Sequence, residues 1–211
     1  MSQAPAQLRP FDPGTTGWSV DDLSDPEIQR LWSKGRHELV DGVLTMMAPQ
    51  HFHGIRPLSR LRRLLERHLD ATRGGGFFHN EIDLVLKPRR VARPDMLFLT
   101  PELDRRQRER DEAVGATDVV YGPIRVPPLL IVESTSVGHE DHDRETKRGW
   151  YAEAGVPNYW LLDATARSLE CLALAGAAYE TDVAGRGSDV LQPRLFPGLE
   201  IPLAFLWSDA E

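Results

Sequence analysis

The chain has 211 residues and a formal net charge of −7, with 41% hydrophobic and 27% charged residues, a composition typical of a globular protein of one ordinary domain. Its single cysteine excludes an internal disulfide and a CxxC zinc site, and it suits a reducing cytoplasm. No apolar run approaches the roughly 18 residues that a transmembrane helix needs, so no membrane span is expected. The acidic total charge argues against strong non-specific binding to a polyanion.

The N-terminal part of the chain predicts an arm, a helix and a hairpin. Residues 1–19 are rich in Pro, Gly, Ser and Thr, which predicts a flexible arm. Asp25 followed by Pro26 is typical of a helix N-cap with proline in the first turn. The segment HELVDGVLTMMA comes next, and Asp41 and Gly42 between its two short apolar runs predict a β-hairpin.

The middle of the chain predicts a long helix followed by strands. Apolar residues at helical spacing between about 54 and 71 predict the longest helix. A strand at 96–100 is preceded by a Pro-Asp pair, and proline removes a ladder donor, so Asp95 is expected where this strand begins. Residues 101–126 are a charged insert, for which we expect a helical fragment and a mobile loop.

The stretch 127–163 contains two continuous apolar runs around a charged segment, which predicts a buried strand, a helix and a second buried strand. Glu133 stands at the end of the first run, and Lys147 lies on the predicted helix. Isolated burial of a carboxylate is costly, so Glu133 is expected to be paired, bound to metal or near water. A second hairpin is predicted within 168–183.

Two carboxylates and a lysine form a candidate site. Asp95 and Glu133 each border a predicted strand, and both would point into one cleft if the strands are neighbours. Two acids and a phosphate oxygen suffice for a hard cation such as Mg²⁺, which would activate water at a phosphodiester. A helix packed on the sheet would return Lys147 to this cleft, where its ammonium would stabilise developing charge. The spacing alone is equally consistent with Asp95 as a turn-former after Pro94 and with Lys147 as a solvated lysine paired with Asp143.

Four pieces of the sequence stand in a specific order: HELVDGVLTMM at 37–47, RPDMLFL at 93–99, LLIVESTS at 129–136 and DRETKRGWYAEAGVPNYWLLD at 143–163. Together they resemble the Uma-two family, a restriction-endonuclease-like family long known as a domain of unknown function. The resemblance covers roughly residues 25–207. It implies a PD-(D/E)XK nuclease-like fold, an α/β (α+β) protein with a mixed central sheet flanked by helices, forming one domain over 20–211 with N-terminal and C-terminal β-hairpins.

The resemblance also implies the site and its chemistry, a metal-dependent endonuclease. It implies that the catalytic residues are Asp95, Glu133, Lys147 and Glu38. Of these, Asp95 and Glu133 would bind the metal. His53 matches a frequent histidine beside the cleft. In that superfamily a lysine usually follows the second acid by two residues, where this chain has Thr135, and the resembling family moves it to the next helix. The expected cofactor is Mg²⁺ or Mn²⁺, and the expected partners are nucleic acid, with DNA preferred, and a second copy of the chain.

Two other functions stay open. One is a catalytically silent nuclease-fold module that binds nucleic acid or a protein partner; the acidic charge disfavours tight DNA binding and so suits the protein partner. The other is a hydrolase using HEDHD at 139–143, whose residue types can bind zinc but more often form a polar loop before a helix. The segment STSVGH at 134–139 departs from the VLSPST common in the family, which concerns substrate fit more than metal binding. Cys171 has no evident base beside it, so a thiol nucleophile is not expected.

Overall fold

The computed structural model of the chain describes residues 9–47, 52–113, 122–135 and 140–208. The chain divides into two compact units. The first consists of Met1–Pro49 with Val85–Arg93, and the second of Gln50–Leu84 with Pro94–Glu211. A single domain over residues 20–211 stays a prediction, and each unit is described by itself.

The described part of the chain contains both helices and strands. The helices of the described residues are α1 (Pro26–Trp32), α2 (Phe52–Thr72), α3 (Pro101–Ala113), α4 (Glu140–Glu153) and α5 (Leu203–Trp207), with a 3₁₀ turn at Asp22–Ser24. The strands are β1 (His37–Val40), β2 (Val43–Met46), β3 (Phe77–Asn80), β4 (Leu84–Lys87), β5 (Arg90–Ala92), β6 (Met96–Leu99), β7 (Leu130–Thr135), β8 (Asn158–Asp163), β9 (Ser168–Ala175), β10 (Ala178–Arg186), β11 (Val190–Leu191) and β12 (Ile201–Pro202). None of the described helices combines the length and the apolar content needed to cross a membrane.

The first unit is built on a four-stranded sheet with the order β2-β1-β5-β4. β1 and β2 form the predicted hairpin, with Val40 opposite Val43. The two turn residues between them, Asp41 and Gly42, have φ angles of 52° and 84°. This left-handed geometry is the one that a two-residue hairpin turn requires and that an Asp-Gly pair favours.

An apolar core packs α1 and the segment before it against this sheet. Asp25 caps α1 as predicted, since its carboxylate accepts hydrogen bonds from two backbone N–H groups of the first turn. Trp18 is buried, and its backbone N–H donates to the carbonyl of Gly42 at 3.0 Å. Residues 9–19, part of the predicted flexible arm, therefore include a packed segment, while residues 1–8 lie outside the described part of the chain.

The second unit is built on a six-stranded sheet with the order β10-β9-β8-β7-β6-β3. β7 and β8 are parallel and α4 connects them, so the stretch 127–163 forms the predicted strand–helix–strand unit. The remaining neighbours are antiparallel. They include the predicted second hairpin, in which Ala175 pairs with Ala178 across the turn between β9 and β10.

The two faces of this sheet are covered by different helices. Side chains alternate between the faces along a strand, so Val132 and Trp160 point to one side while Glu133 and Tyr159 point to the other. On the first side, α2 and α5 join the strands in one continuous apolar core. On the second side lies α4, whose Tyr151 ring is 5.3 Å from the Tyr159 ring. The predicted fold class, a mixed central sheet flanked by helices, is confirmed.

The charged insert begins with α3, which confirms its predicted helical fragment. Gln107 is a buried polar residue of this helix, and it binds the C-terminal end of the insert. Its Oε1 accepts a hydrogen bond from the backbone N–H of Arg125 at 2.7 Å, and its Nε2 donates to the carbonyl of Pro123 at 3.2 Å. The returning chain is thereby attached to α3 before it enters β7. Residues 114–121, which include most of the predicted mobile loop, lie outside the described residues.

Candidate active site

Two neighbouring strands bring the predicted acids together. β6 and β7 are antiparallel, and their register places Met96 opposite Val132. One residue beyond this pair, Asp95 lies opposite Glu133, and both belong to the face of the sheet that carries α4. The condition for a shared cleft, that the two strands are neighbours, is therefore met.

The two carboxylates are buried and joined by hydrogen bonds. Asp95 is 6% exposed and Glu133 is 8% exposed. The backbone N–H of Asp95 donates to Oε2 of Glu133 at 3.3 Å, and the backbone N–H of Ser134 donates to Oδ2 of Asp95 at 2.7 Å. Each acid is thus oriented by the main chain of the other strand. Backbone donors reduce the cost of holding carboxylates away from water.

Helix α4 places two further polar groups at the same acid. The Nζ atom of Lys147 lies 3.5 Å from Oε1 of Glu133, and the hydroxyl of Tyr151 donates to that oxygen at 2.7 Å. Both side chains are buried. Lys147 therefore pairs with Glu133, as its predicted place in the cleft requires. Tyr151 is absent from the set predicted from the sequence, although its spacing of four residues from Lys147 places it on the same helix face.

The strand beside β6 supports Asp95 from the other side. Asn80, the last residue of β3, donates from Nδ2 to the carbonyl oxygen of Asp95 at 3.0 Å. The Oδ1 atom of Asn80 in turn accepts a hydrogen bond from the guanidinium of Arg62 on α2. The backbone of Asp95 is consequently held between β3 and β7, which favours a fixed carboxylate over a loose turn residue after Pro94.

Glu38 belongs to the first compact unit. It is buried there, and its Oε1 accepts a hydrogen bond from the backbone N–H of Arg93 at 3.0 Å. The guanidinium of Arg93 donates to the carbonyl of Gly35 at 3.2 Å. Within its own unit, Glu38 thus fixes the chain directly after β5. Its role as a supporting acid of the site stays a prediction.

Two other predicted features fall largely outside the described residues. His53 lies in α2, but its side chain is outside the described set. Of the HEDHD segment, position 139 is outside the described residues and positions 140–143 belong to α4, again without described side chains. The accessory role of His53 and the alternative metal site at HEDHD therefore stay predictions.

The donor set at the site fits a hard divalent cation. Asp95 and Glu133 supply two oxygen-bearing side chains, and Mg²⁺ is usually bound by one or two carboxylates together with waters and substrate phosphates. Within the ranges that the structure describes, no group of three or more His, Cys, Asp or Glu side chains is arranged to hold a metal ion.

The thiol of Cys171 lies on the opposite face of the sheet, in the core beneath α2. Burial raises the pKa of this thiol well above its ordinary value, and the nearby charges of Asp182 and Glu170 raise it further. The thiolate is the nucleophilic form of cysteine. The expectation that Cys171 is not a nucleophile agrees with this environment.

Several arginines of the described residues bind the protein's own acceptors. Arg60 donates to backbone carbonyls at the end of α5, including that of Ser208. Arg62 pairs with Glu66 at 2.7 Å, and Arg90 pairs with Asp41 at 2.5 Å. These contacts give the three guanidiniums structural roles.

Comparison with known proteins gives a family and a fold. The family model Uma2, described as "Putative restriction endonuclease", matches residues 25–204. Among solved structures, the chain is similar to the crystal structure of a "putative nuclease belonging to DUF820" from Anabaena variabilis, with a TM-score of 0.65 and 14% identity. That similarity covers 90% of this chain and 98% of the other chain, and at this identity it shows the fold alone. No curated protein matches the chain.

Proposed function

Since the chain belongs to the Uma2 family, we propose that it is a metal-dependent endonuclease that hydrolyses phosphodiester bonds in DNA. One observation carries this proposal: the buried carboxylates of Asp95 and Glu133 lie side by side, with the ammonium of Lys147 next to them. Buried acids beside a cation are costly to keep for structure alone, because a hydrophobic replacement is often neutral or stabilising. Such a cluster is a candidate site for phosphoryl chemistry.

The described side chains support separate roles at this site. Asp95 and Glu133 would hold Mg²⁺ or Mn²⁺, which when bound supplies a Lewis acid and a water of lowered pKa. The backbone N–H groups of Ser134 and Asp95 orient the two carboxylates before any ligand arrives. Lys147 would position the attacking water and stabilise negative charge on the phosphate oxygens. Its burial strengthens this effect, since charges interact more strongly where water is excluded.

The proposal extends to the partners. Cleavage of both strands of a duplex needs two sites, so we expect a homodimer with one site in each copy. Glu38 is proposed as a supporting acid, in keeping with its place in the family pattern.

The test is a supercoiled-plasmid nicking assay with Mg²⁺ or Mn²⁺. Asp95→Asn, Glu133→Gln and Lys147→Met keep the approximate size of each side chain but remove its charge. We expect each to lower the nicking rate by a factor on the order of 100 or more, the loss seen when one preorganised electrostatic group is removed. Asp182→Asn is a matched control, because Asp182 lies on β10, at the far edge of the same sheet, and pairs there with Arg194.

The outcomes separate the proposed nuclease from the catalytically silent module. Equal nicking by the wild type and Asp95→Asn would contradict a nuclease centred on these acids. If neither DNA nor RNA is cut, calorimetry with Mn²⁺ tests whether the two acids bind a metal ion. Binding heat that disappears in Asp95→Asn and Glu133→Gln would keep the metal site, whereas no binding heat in the wild type would favour the catalytically silent module.

A further inference from the structure

Two donors share one oxygen of Glu133, and they share it unequally. The hydroxyl of Tyr151 lies 2.7 Å from Oε1, a full O–H···O hydrogen bond, while Nζ of Lys147 lies 3.5 Å from the same atom. A close charge-assisted hydrogen bond between an ammonium and a carboxylate is about 2.7–2.9 Å long. Tyr151, not Lys147, therefore makes the short hydrogen bond to this oxygen.

The ring of Tyr151 is held by its surroundings. It belongs to a cluster of three tyrosines, in which Tyr159 lies 5.3 Å from Tyr151 and Tyr179 lies 5.6 Å from Tyr159. Tyr179 contributes its ring to this cluster, while its hydroxyl donates to the carbonyl of Val156 at 2.7 Å and not to Glu133. Because the ring is fully buried within this cluster, its hydroxyl has a fixed position.

We propose that Tyr151 is a positioning residue of the active site: its hydroxyl fixes the Glu133 carboxylate and keeps the Lys147 ammonium from closing onto it. This inference rests on the proposed function. Oε2 of Glu133 accepts from the backbone N–H of Asp95 while Oε1 accepts from Tyr151, so the carboxylate is oriented at both oxygens. Lys147 stays within ion-pair distance and is held off from the short contact. Its ammonium is thereby directed towards the cleft, where the attacking water would be oriented.

The test uses Tyr151→Phe, which keeps the buried ring and removes only the hydroxyl. Tyr179→Phe is its matched control, because it also removes a hydroxyl that makes a buried hydrogen bond of 2.7 Å, but one that ends on a backbone carbonyl away from Glu133. Thermal unfolding of both variants checks that each is folded and that their losses of stability are comparable.

The first measurement needs no substrate. The sequence contains three lysines, at positions 34, 87 and 147, so ¹⁵N-lysine labelling gives a simple NMR spectrum of side-chain ammonium groups. Without the hydroxyl, Lys147 moves into direct contact with Oε1, and its Nζ signal shifts in Tyr151→Phe but not in Tyr179→Phe. An unchanged Lys147 signal in Tyr151→Phe, or an equal shift in both variants, would overturn the inference.

The second measurement is plasmid nicking with Mg²⁺ or Mn²⁺. We expect the maximal nicking rate of Tyr151→Phe to fall about ten-fold or more, with the half-saturating plasmid concentration unchanged, since an interaction made only in the transition state affects the rate and not ground-state binding. Tyr179→Phe should nick at the wild-type rate. Wild-type nicking by Tyr151→Phe would overturn the positioning role, whereas failure of the wild type to nick would count against the proposed function and leave the ammonium measurement to decide on Tyr151.

Discussion

Two titratable side chains lie buried on opposite faces of the six-stranded sheet, and their surroundings differ. Cys171 is fully buried in the apolar core beneath α2, where burial raises its pKa and keeps it a neutral thiol. Glu133 is nearly as buried beneath α4, but it accepts hydrogen bonds from Asp95 and Tyr151 and lies beside Lys147. Burial among apolar neighbours favours the neutral form of a titratable group. Burial beside hydrogen-bond donors and a cation fixes the orientation of a carboxylate.

The largest expected effect on the free energy of unfolding comes from removing the carboxylate of Glu133, which lies beside Lys147. Glu133→Ala would leave the buried Lys147 without the counter-charge of Glu133, and removal of one partner of a buried ion pair costs about 3–5 kcal/mol. Denaturant unfolding should show this loss in the free energy of unfolding. The double variant Glu133→Ala/Lys147→Met should recover part of it, because both charges are then gone. Equal losses in the single and double variants would mean that the pair is not energetically coupled.

Truncation of a side chain on the apolar face should lower the free energy of unfolding by about as much as Glu133→Ala, or somewhat less. It should leave the nicking activity unchanged. Leu61 is fully buried in the core between α2 and the sheet, and Leu→Ala changes in cores typically cost about 2–5 kcal/mol. Leu61→Ala should lower the free energy of unfolding by this amount. Plasmid nicking measured well below its unfolding temperature should stay near the wild-type rate. A loss of nicking as large as that of Glu133→Gln would show that the two faces are not independent.

The smallest expected effect concerns the titration of Cys171. Because its pKa is raised in the folded state, the folded protein retains a proton that the unfolded chain releases above the ordinary thiol pKa of 9.0. The free energy of unfolding therefore includes a contribution from this thiol that is present below pH 9 and is lost as the pH rises above it. The slope of this loss is at most about 1.4 kcal/mol per pH unit.

Cys171→Ala is the control for this pH dependence. The difference in unfolding free energy between the wild type and Cys171→Ala should be constant from pH 7 to about pH 9 and should narrow above it. A difference that stays constant at higher pH would contradict a neutral, buried thiol. Native protein should also resist thiol alkylation at neutral pH, in contrast to the denatured chain.

Much of the fold can be predicted from local patterns in the sequence. The Asp41-Gly42 turn and the Asp25 cap follow from residue types that tolerate or complete a single backbone geometry. The strand–helix–strand unit at 127–163 follows from its continuous apolar runs, which are typical of strands buried on both faces. The pairing of Asp95 with Glu133 could be predicted only on the condition that β6 and β7 are neighbours. That condition concerns the order of strands in the sheet, which local sequence patterns do not specify.

The remaining features depend on contacts that composition does not specify. Pro, Gly and Thr near the N-terminus predict a loose arm, yet Trp18 buries its ring and bonds the hairpin backbone. In the sequence, nothing separates Tyr151 from an aromatic residue of the core. Only its hydrogen bond to Glu133, seen in the structure, identifies it as part of the site. A polar group with a specific partner is therefore recognisable once its neighbours are known, because its energy depends on whether the hydrogen bond is made.

The segment between β6 and β7 has a consequence for how the chain can vary. Asp95 and Glu133 are 38 residues apart, and the connection between them contains α3, which is attached to the returning chain through Gln107. The entropy of closing a loop grows only with the logarithm of its length, so doubling this connection would cost only about 0.6 kcal/mol. Residues can thus be inserted beyond α3 with little effect on the pairing of the two acids.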